Sequence, residues 1–379
     1  MSRPYQICSR CVMDTTDPDI VFDEEGVCSH CHKFEREQRP HWHPDAEGER
    51  LWSAKLDEIR SAGKGKEYDC IIGLSGGVDS SYLALKMADW NLRPLVVHVD
   101  AGWNSELATA NIETLVKHCG FDLQTVVIDW PEMRDLQLAY LKAGIANQDV
   151  PQDHAFFANL YKFAVRNGVK YVLSGGNLAT EAVFVDEWSS AAMDAISLRA
   201  IHKRFGTIPL KSFETIGFFN YYFASPFLRR LRVLRPLNYM PYNKALATER
   251  LEQVGWRAYG RKHGESRFTK LFQNYYLPEK FGFDKRKIHL SSLVVSGQIS
   301  REEALKQLDE PLYDAAELAS DIAYFCKKLG ITRAQFDEYV SQPNRHYSDF
   351  ANWDSRRGLA KRAQGLIRRL LGRNIKVYS

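Results

Sequence analysis

The chain of 379 residues has no stretch approaching the ~20 apolar residues that a membrane-spanning helix needs. Its opening, Met1-Ser2-Arg3-Pro4-Tyr5-Gln6, lacks the apolar centre of a secretion signal, so the expected address is cytoplasmic. Cysteine is sparse, with seven residues, and in a reducing compartment closely paired cysteines are metal ligands before they are disulfides. The kinase-type phosphate loop Gly-x-x-x-x-Gly-Lys-Ser/Thr is missing: Gly63-Lys64 runs into Gly65, and Gly65-Lys66 into Glu67. Acidic residues are absent from Ser355 to Ser379, where eight basic ones stand. Because the whole chain is only +4, everything before that tail is net acidic, and only the tail is a basic module. The rest is ordinary for a globular chain: 45% hydrophobic content and enough length for more than one domain.

Ser75-Gly76-Gly77-Val78-Asp79-Ser80 follows the apolar run Cys70-Ile71-Ile72-Gly73-Leu74 and precedes Tyr82-Leu83-Ala84-Leu85-Lys86-Met87, the pattern of buried strand, glycine turn and helix. Adjacent glycines let the backbone close on an anion, and the helix behind them adds free amides and the positive end of its dipole. Ser75 and Ser80 supply hydroxyl donors, and Asp79 supplies a carboxylate suited to a magnesium ion. Such a turn is expected to hold phosphate.

From Tyr68 the chain alternates. Strand 70–74 leads to helix 80–90, strand 95–100 to helix 108–119, strand 123–128 to helix 132–143, and helix 154–167 to strand 169–173. Near-continuous apolar strands separated by amphipathic helices predict an α/β fold with a parallel, doubly wound sheet, whose ligands collect at the carboxyl ends of the strands. Those ends carry Ser75–Ser80, then His98-Val99-Asp100-Ala101-Gly102-Trp103-Asn104, then Ser174-Gly175-Gly176-Asn177 with Glu181 one turn on.

Cys8-Ser9-Arg10-Cys11 and Cys28-Ser29-His30-Cys31 are two Cys-x-x-Cys turns at the spacing of a four-thiolate zinc ribbon. A closed four-sulfur site leaves no position for substrate, so the zinc is expected to be structural. His30 and His32 are close enough to be alternative ligands. Cys70, Cys119 and Cys326 read as buried small hydrophobes.

Beyond Leu210 the pattern turns to aromatic and basic clusters: Phe218–Phe223, then 255–269, then 277–290. The last two are poor core material and suit polyanion handling, with Lys285, Arg286 and Lys287 placed to neutralise a departing pyrophosphate. Ser300-Arg301-Glu302-Glu303 and Thr332-Arg333-Ala334-Gln335 are capping boxes opening two helices. The division expected is 1–50 zinc ribbon and linker, 51–235 α/β domain, 236–354 helical substrate- and phosphate-handling region, and 355–379 basic helix. That helix, with Leu359, Ala363, Leu366, Ile367 and Leu370 roughly on one side, is suited to an anionic membrane or an acidic partner.

The loop Ser75–Ser80 resembles the pyrophosphate loop of the N-type ATP pyrophosphatases, the PP-loop superfamily of GMP synthetase, NAD synthetase, asparagine synthetase and the tRNA thiolation enzymes. The resemblance implies that ATP is cleaved between its α and β phosphates, leaving AMP on a substrate oxygen. It also makes Asp100, Gly175 and Asn177 candidates for nucleoside contacts, and Asp79 and Glu181 candidates for magnesium.

Several further segments narrow this. Cys8-x-x-Cys11-Val12-Met13-Asp14-Thr15-Thr16-Asp17, the loop, Lys262-His263-x-Glu265-Ser266, and Leu277-Pro278-x-Lys280-Phe281-Gly282-x-Asp284-Lys285-Arg286-Lys287-x-His289-Leu290-Ser291 together resemble the bacterial N-acetyl sugar amidotransferases of surface-polysaccharide, or lipopolysaccharide O-antigen, synthesis. That resemblance implies conversion of a sugar acetamido group to an acetamidino group. Asp79, Lys285, Arg286, His263 and Glu265 are the expected catalytic residues, and His202, Lys203, Lys262 and Ser266 are expected to bind the sugar.

Ammonia must come from elsewhere, because none of the seven cysteines stands after Met1 or on a glycine-flanked elbow as a glutaminase requires. The implied partners are a separate glutaminase and a cyclase-like subunit that channels ammonia, with a free or nucleotide-linked diacetamido sugar as substrate and no nucleic acid. A competing reading, a tRNA thiolation or lysidine-type enzyme, is disfavoured because no Cys-x-x-Cys follows Ser80.

Overall fold

The computed structural model describes residues 3–185, 188, 192–259 and 266–371, with the side chains of 368–371 excepted. Its centre is one five-stranded, wholly parallel sheet in the order β3-β2-β1-β4-β5. The strands are β1 Cys70–Gly73, β2 Pro94–Asp100, β3 Asp122–Val127, β4 Tyr171–Leu173 and β5 Arg232–Leu234. This is the parallel α/β architecture the sequence predicts, and the first four strands fall where expected. The fifth was not expected. It is three half-buried residues at the sheet's edge, too short to give an apolar period of its own.

Alternation along the central strands divides the core. Ile71, Leu95 and Val97 face the helices Trp130–Ala143, Val150–Arg166 and Ala195–Phe205. Cys70, Ile72, Leu74 and Val96 face the opposite layer, built from Ala46–Gly63, Val78–Asp89, Glu106–Cys119 and Lys244–Glu252. Ile71 and Ile72 are wholly buried, each contributing about 1.5–3 kcal/mol of transfer free energy, which fixes β1 at the centre of the sheet. Parallel strands force each helix to run back against the sheet, so the helix starts lie at the carboxyl edge beside the loops that follow β1, β2 and β4.

Short polar residues begin these helices as propensity dictates: Asp45, Ser105, Asp129 and Asp194 each accept a first-turn amide. Thr332 and Gln335 close a reciprocal capping box, whereas Ser300 caps Glu303 N. Helices Arg267–Leu271, Ala315–Leu329 and Arg333–Ser341 bury Phe268, Phe325 and Phe336 around Trp103 from the β2 loop, fastening the helical region to the sheet. The helix Asp354–Leu371 turns Ala360 and Gln364 inward and leaves Leu359 and Leu366 exposed, so its apolar residues do not all share one free side. Among the described residues no helix is long and apolar enough to cross a membrane.

Candidate active site

At the carboxyl end of β1, Gly76 adopts φ +87°, a conformation that favours glycine. A Cβ there would also come within 3.2 Å of the Ala108 carbonyl. Gly77 is the N-cap of the Val78–Asp89 helix and offers no side chain to its first-turn amides, unlike the Asp- and Ser-capped helices around it. Those amides and the dipole behind them suit an anion. Ser75 and Ser80 face each other across the turn with hydroxyls 3.2 Å apart.

Two residues that the sequence did not single out set the orientation of this loop. Trp256 Nε1 donates to the Gly76 carbonyl at 3.3 Å, and Tyr259 Oη donates to the same oxygen at 2.9 Å. Because C=O and N–H of one peptide point in opposite directions, pinning that carbonyl turns the Gly77 N–H to the other side. Asn111 holds the intervening segment, donating to the Arg257 carbonyl at 2.8 Å and accepting from its amide at 2.9 Å.

Asp79 is half-buried in the first turn. Its Oδ1 accepts from Asn177 Nδ2 at 3.4 Å and from Tyr242 Oη. Burial first, then the Asp79 charge, drives the Tyr242 phenol far above its ordinary range, so it remains a donor at any working pH. Glu181 lies over Gly176, with Oε2 3.1 Å from where a Cβ would stand, and its charge also reaches Tyr242. The charges of Asp79 and Glu181 both reach Tyr242, and carboxylates are the hard oxygen donors that a magnesium ion takes alongside phosphate oxygens.

The candidate nucleoside contacts have other partners. Asn177 is fully buried, caps its own helix by accepting from Thr180 N, and steadies Asp79. Gly175 lies so close to the loop helix that a Cβ would sit 2.8 Å from Ser80 N; it is there for backbone packing. Asp100 accepts from Gly102 N at 2.7 Å and from Asn104 Nδ2 at 3.2 Å. His98 is buried with Nδ1 2.9 Å from the Leu74 carbonyl, a donor's position, so Nε2 faces Asn104 Nδ2 at 3.0 Å as acceptor. Asp100 thus shapes the loop after β2.

The three cations of Asp284-Lys285-Arg286-Lys287 have three separate fates. Arg286 is bidentate to Asp284 and donates to the carbonyls of Gln307, Leu308 and Glu310 at the end of the Arg301–Asp309 helix, so its expected catalytic role gives way to a structural one. Lys287 pairs with Asp14 at 2.5 Å, reaching back to the cysteine region. Lys285 has its Nζ 5.6 Å from the Phe272 centroid and lies within the fields of Asp149 and Asp153; burial lowers its pKa, and the two carboxylates oppose that shift.

Among the described residues, the expected sugar ligands His202, Lys203 and Ser266 are not assembled in one place. His202 Nε2 is 3.0 Å from Asp135, whose carboxylate also takes the Thr207 amide, so it clamps two helices. Lys203 is exposed on the outer surface. Ser266 caps Arg267–Leu271 by accepting from Thr269 N at 3.2 Å, and its backbone bridges Asn104. Lys262, His263 and Glu265 lie outside the described residues.

The four cysteines form one buried cluster whose sulfurs lie within 4.8 Å of one another. The Cys8–Cys31, Cys11–Cys28 and Cys28–Cys31 sulfur separations are 3.9, 3.6 and 3.7 Å. A zinc tetrahedron with Zn–S of about 2.3 Å has edges of about 3.8 Å, so the donors fit that ion. His30 and His32 are 2.6 and 2.7 Å from Asp17 and Asp23, so both are engaged outside the sulfur tetrahedron. Arg301 donates to the carbonyls of Cys8 and Cys11, and Ser291 Oγ accepts from Val12 N, so the helical region grips the knot.

Residues 265–364 match the family described as the C-terminal domain of WbpG-like LPS biosynthesis proteins. No curated protein matches the chain. A solved structure titled as a predicted subunit of tRNA methyltransferase from Methanocaldococcus jannaschii is similar at 13% identity and a TM-score of 0.27, covering 48% of this chain and 75% of its own, too remote to bear on activity. Residues 265–364 are thus similar to the C-terminal domain of WbpG-like LPS biosynthesis proteins, and they follow a parallel five-stranded sheet that carries a glycine loop at its carboxyl edge.

Proposed function

We propose that the chain is the synthetase subunit of an ATP-dependent amidotransferase that converts a sugar acetamido group to an acetamidino group for lipopolysaccharide synthesis. The observation that carries this reading is the glycine loop Ser75–Ser80, set by Trp256 and Tyr259 and faced by Asp79, joined to a domain of the WbpG-like family. The loop amides would hold the β and γ phosphates, exposing the α-phosphorus to an acetamido oxygen held in line with it. Asp79 and Glu181 would hold magnesium, which neutralises phosphate charge when bound.

The amide oxygen attacks the α-phosphorus, the bond to the bridging oxygen breaks, and pyrophosphate leaves. The product is an O-adenylyl imidate whose nitrogen keeps its hydrogen. Ammonia then adds to the imidate carbon and AMP departs. Lys285 would offset charge as pyrophosphate leaves. Ammonia comes from a separate glutaminase through a channelling subunit.

The test is purified protein with Mg-ATP, ammonium chloride and a nucleotide-linked 2,3-diacetamido uronic acid. The expected result is equal release of AMP and pyrophosphate, with a sugar about one dalton lighter, as oxygen is exchanged for NH. Turnover with tRNA and none with acetamido sugars would replace this reading by an RNA-modifying one.

A further inference from the structure

The structure assigns Tyr242 a positioning role: with Asn177 it takes one oxygen of Asp79, so that the other is presented to the divalent cation that accompanies ATP, and Gln298 ties the two clamps together. This rests on the ATP-binding reading above and deepens it by naming what orients the metal ligand.

Asp79 stands in the first turn of the helix behind the glycine loop. Among the described residues its side chain has two hydrogen-bond donors, Tyr242 Oη and Asn177 Nδ2, and both fall on Oδ1. Oδ2 is left for a ligand. Tyr242 is itself firmly placed: it is buried, and its ring centroid lies 5.5 Å from that of Tyr82, one turn beyond Asp79 on the same helix. The loop after β4 closes in on the same turn, where a Cβ on Gly175 would lie 3.0 Å from the Asp79 carbonyl oxygen.

The segment carrying Tyr242 is fastened at two points to the one carrying Asn177. Before Tyr242, Asn238 Oδ1 accepts from Leu178 N at 2.8 Å. After it, Lys244 N donates to Gln298 Oε1 at 3.0 Å, while Gln298 Nε2 donates to the Ala179 carbonyl at 2.7 Å, joined there by Ser296 Oγ at 2.8 Å. One side chain thus bridges residues 244 and 179. Gln298 comes from the segment 265–364 that is similar to the WbpG-like domain, so that segment braces the clamp on Asp79.

A carboxylate in a first helical turn has competing uses for its oxygens, because it can rotate or turn back on nearby backbone amides. Magnesium tolerates little of this, since it takes one or two carboxylates in near-octahedral array with phosphate oxygens. A hydroxyl and an amide on Oδ1 hold the carboxylate plane, so a cation on Oδ2 meets a ligand already oriented, the service that outer hydrogen bonds give to metal-binding carboxylates. The Asn177 contact, at 3.4 Å, is at the long limit for a hydrogen bond, so Tyr242 supplies most of the restraint.

The test uses the full chain and α,β-methylene ATP, which cannot be cut between its α and β phosphates. Its binding is measured calorimetrically with and without added magnesium, and manganese on the protein–nucleotide complex is titrated by electron paramagnetic resonance. Tyr242→Phe keeps the ring against Tyr82 and removes only the hydroxyl. It is expected to weaken manganese on the complex by about tenfold or more, the usual scale for losing an outer partner of a metal ligand, while the metal-free nucleotide affinity stays as in wild type. Gln298→Ala should act in the same direction and less strongly. Asp79→Asn removes the ligand itself, and adding Tyr242→Phe to it should cost no further metal affinity. Unchanged manganese binding in Tyr242→Phe, an equal loss of nucleotide with and without metal, or a further loss on the Asp79→Asn background would overturn the role of Tyr242. Failure of the wild-type protein to bind the analogue at all would instead overturn the ATP reading beneath it, and the proposal with it.

Discussion

Replacing Lys287 by methionine tests how the cysteine knot is held to the rest of the chain. Asp14, in the loop beside the knot, is wholly buried and accepts from Lys287 Nζ at 2.5 Å, Tyr5 Oη at 2.9 Å and Thr16 N at 3.0 Å. Burial by itself would raise the Asp14 pKa, but the Lys287 ammonium and the Thr16 donors outweigh it and hold the carboxyl below its ordinary value. Removing the cation leaves a buried carboxylate with neutral donors only. Breaking a buried pair this way costs about 3–5 kcal/mol, and the surviving Tyr5 and Thr16 bonds put Lys287→Met near the lower figure, about 3 kcal/mol. Asp14→Asn removes the charge that needed compensation, so the double variant should recover much of the loss.

The sign with pH follows from the depressed pKa. The pair's contribution is full above the unfolded carboxylate value of about 4 and fades as pH falls through the lower native one, so the deficit of Lys287→Met should shrink in acid. Urea unfolding of the zinc-loaded protein, followed by tryptophan fluorescence across a double-mutant cycle, measures this. Single effects that add within about 0.5 kcal/mol, or a deficit that grows as pH falls, would refute the reasoning.

Three other perturbations probe the site and the metal centre. Gly175→Ala should lower ATP affinity sharply while the fold survives, because the new methyl meets the Ser80 amide at 2.8 Å; equilibrium binding of a nonhydrolysable ATP analogue reads it, and unchanged affinity contradicts the packing role. Tyr259→Phe removes one donor from the Gly76 carbonyl and should weaken ATP binding by about 1 kcal/mol, roughly fivefold, with Trp256→Phe adding to it; the same titration decides. Chelation, or Cys28→Ser, should release one zinc per chain and lower the unfolding temperature, as measured by a colorimetric zinc indicator and calorimetry; full stability without metal would remove zinc from the fold.

The strands β1 to β4 and the cysteine knot were legible because each declares itself locally, through buried apolar runs followed by helices or through a fixed Cys-x-x-Cys spacing. β5 was not, since three half-buried residues headed by Arg232 look like loop. The glycine loop was equally plain, but Trp256 and Tyr259 act on it from 180 and 183 residues away, and no local pattern carries that distance. The run 284–287 misled for a related reason. Three consecutive cations look alike in sequence, yet around a helix start Lys285 lies beside Phe272, Arg286 reaches a neighbouring helix end and Lys287 the knot.

The most direct measurement is the nucleotide product. With Mg-ATP, a nucleotide-linked 2,3-diacetamido uronic acid and ammonium, chromatography should recover AMP and pyrophosphate in equal amounts, and Asp79→Ala should abolish both. ADP and phosphate in their place would mean cleavage at the outer phosphate and would contradict a loop that exposes the innermost one.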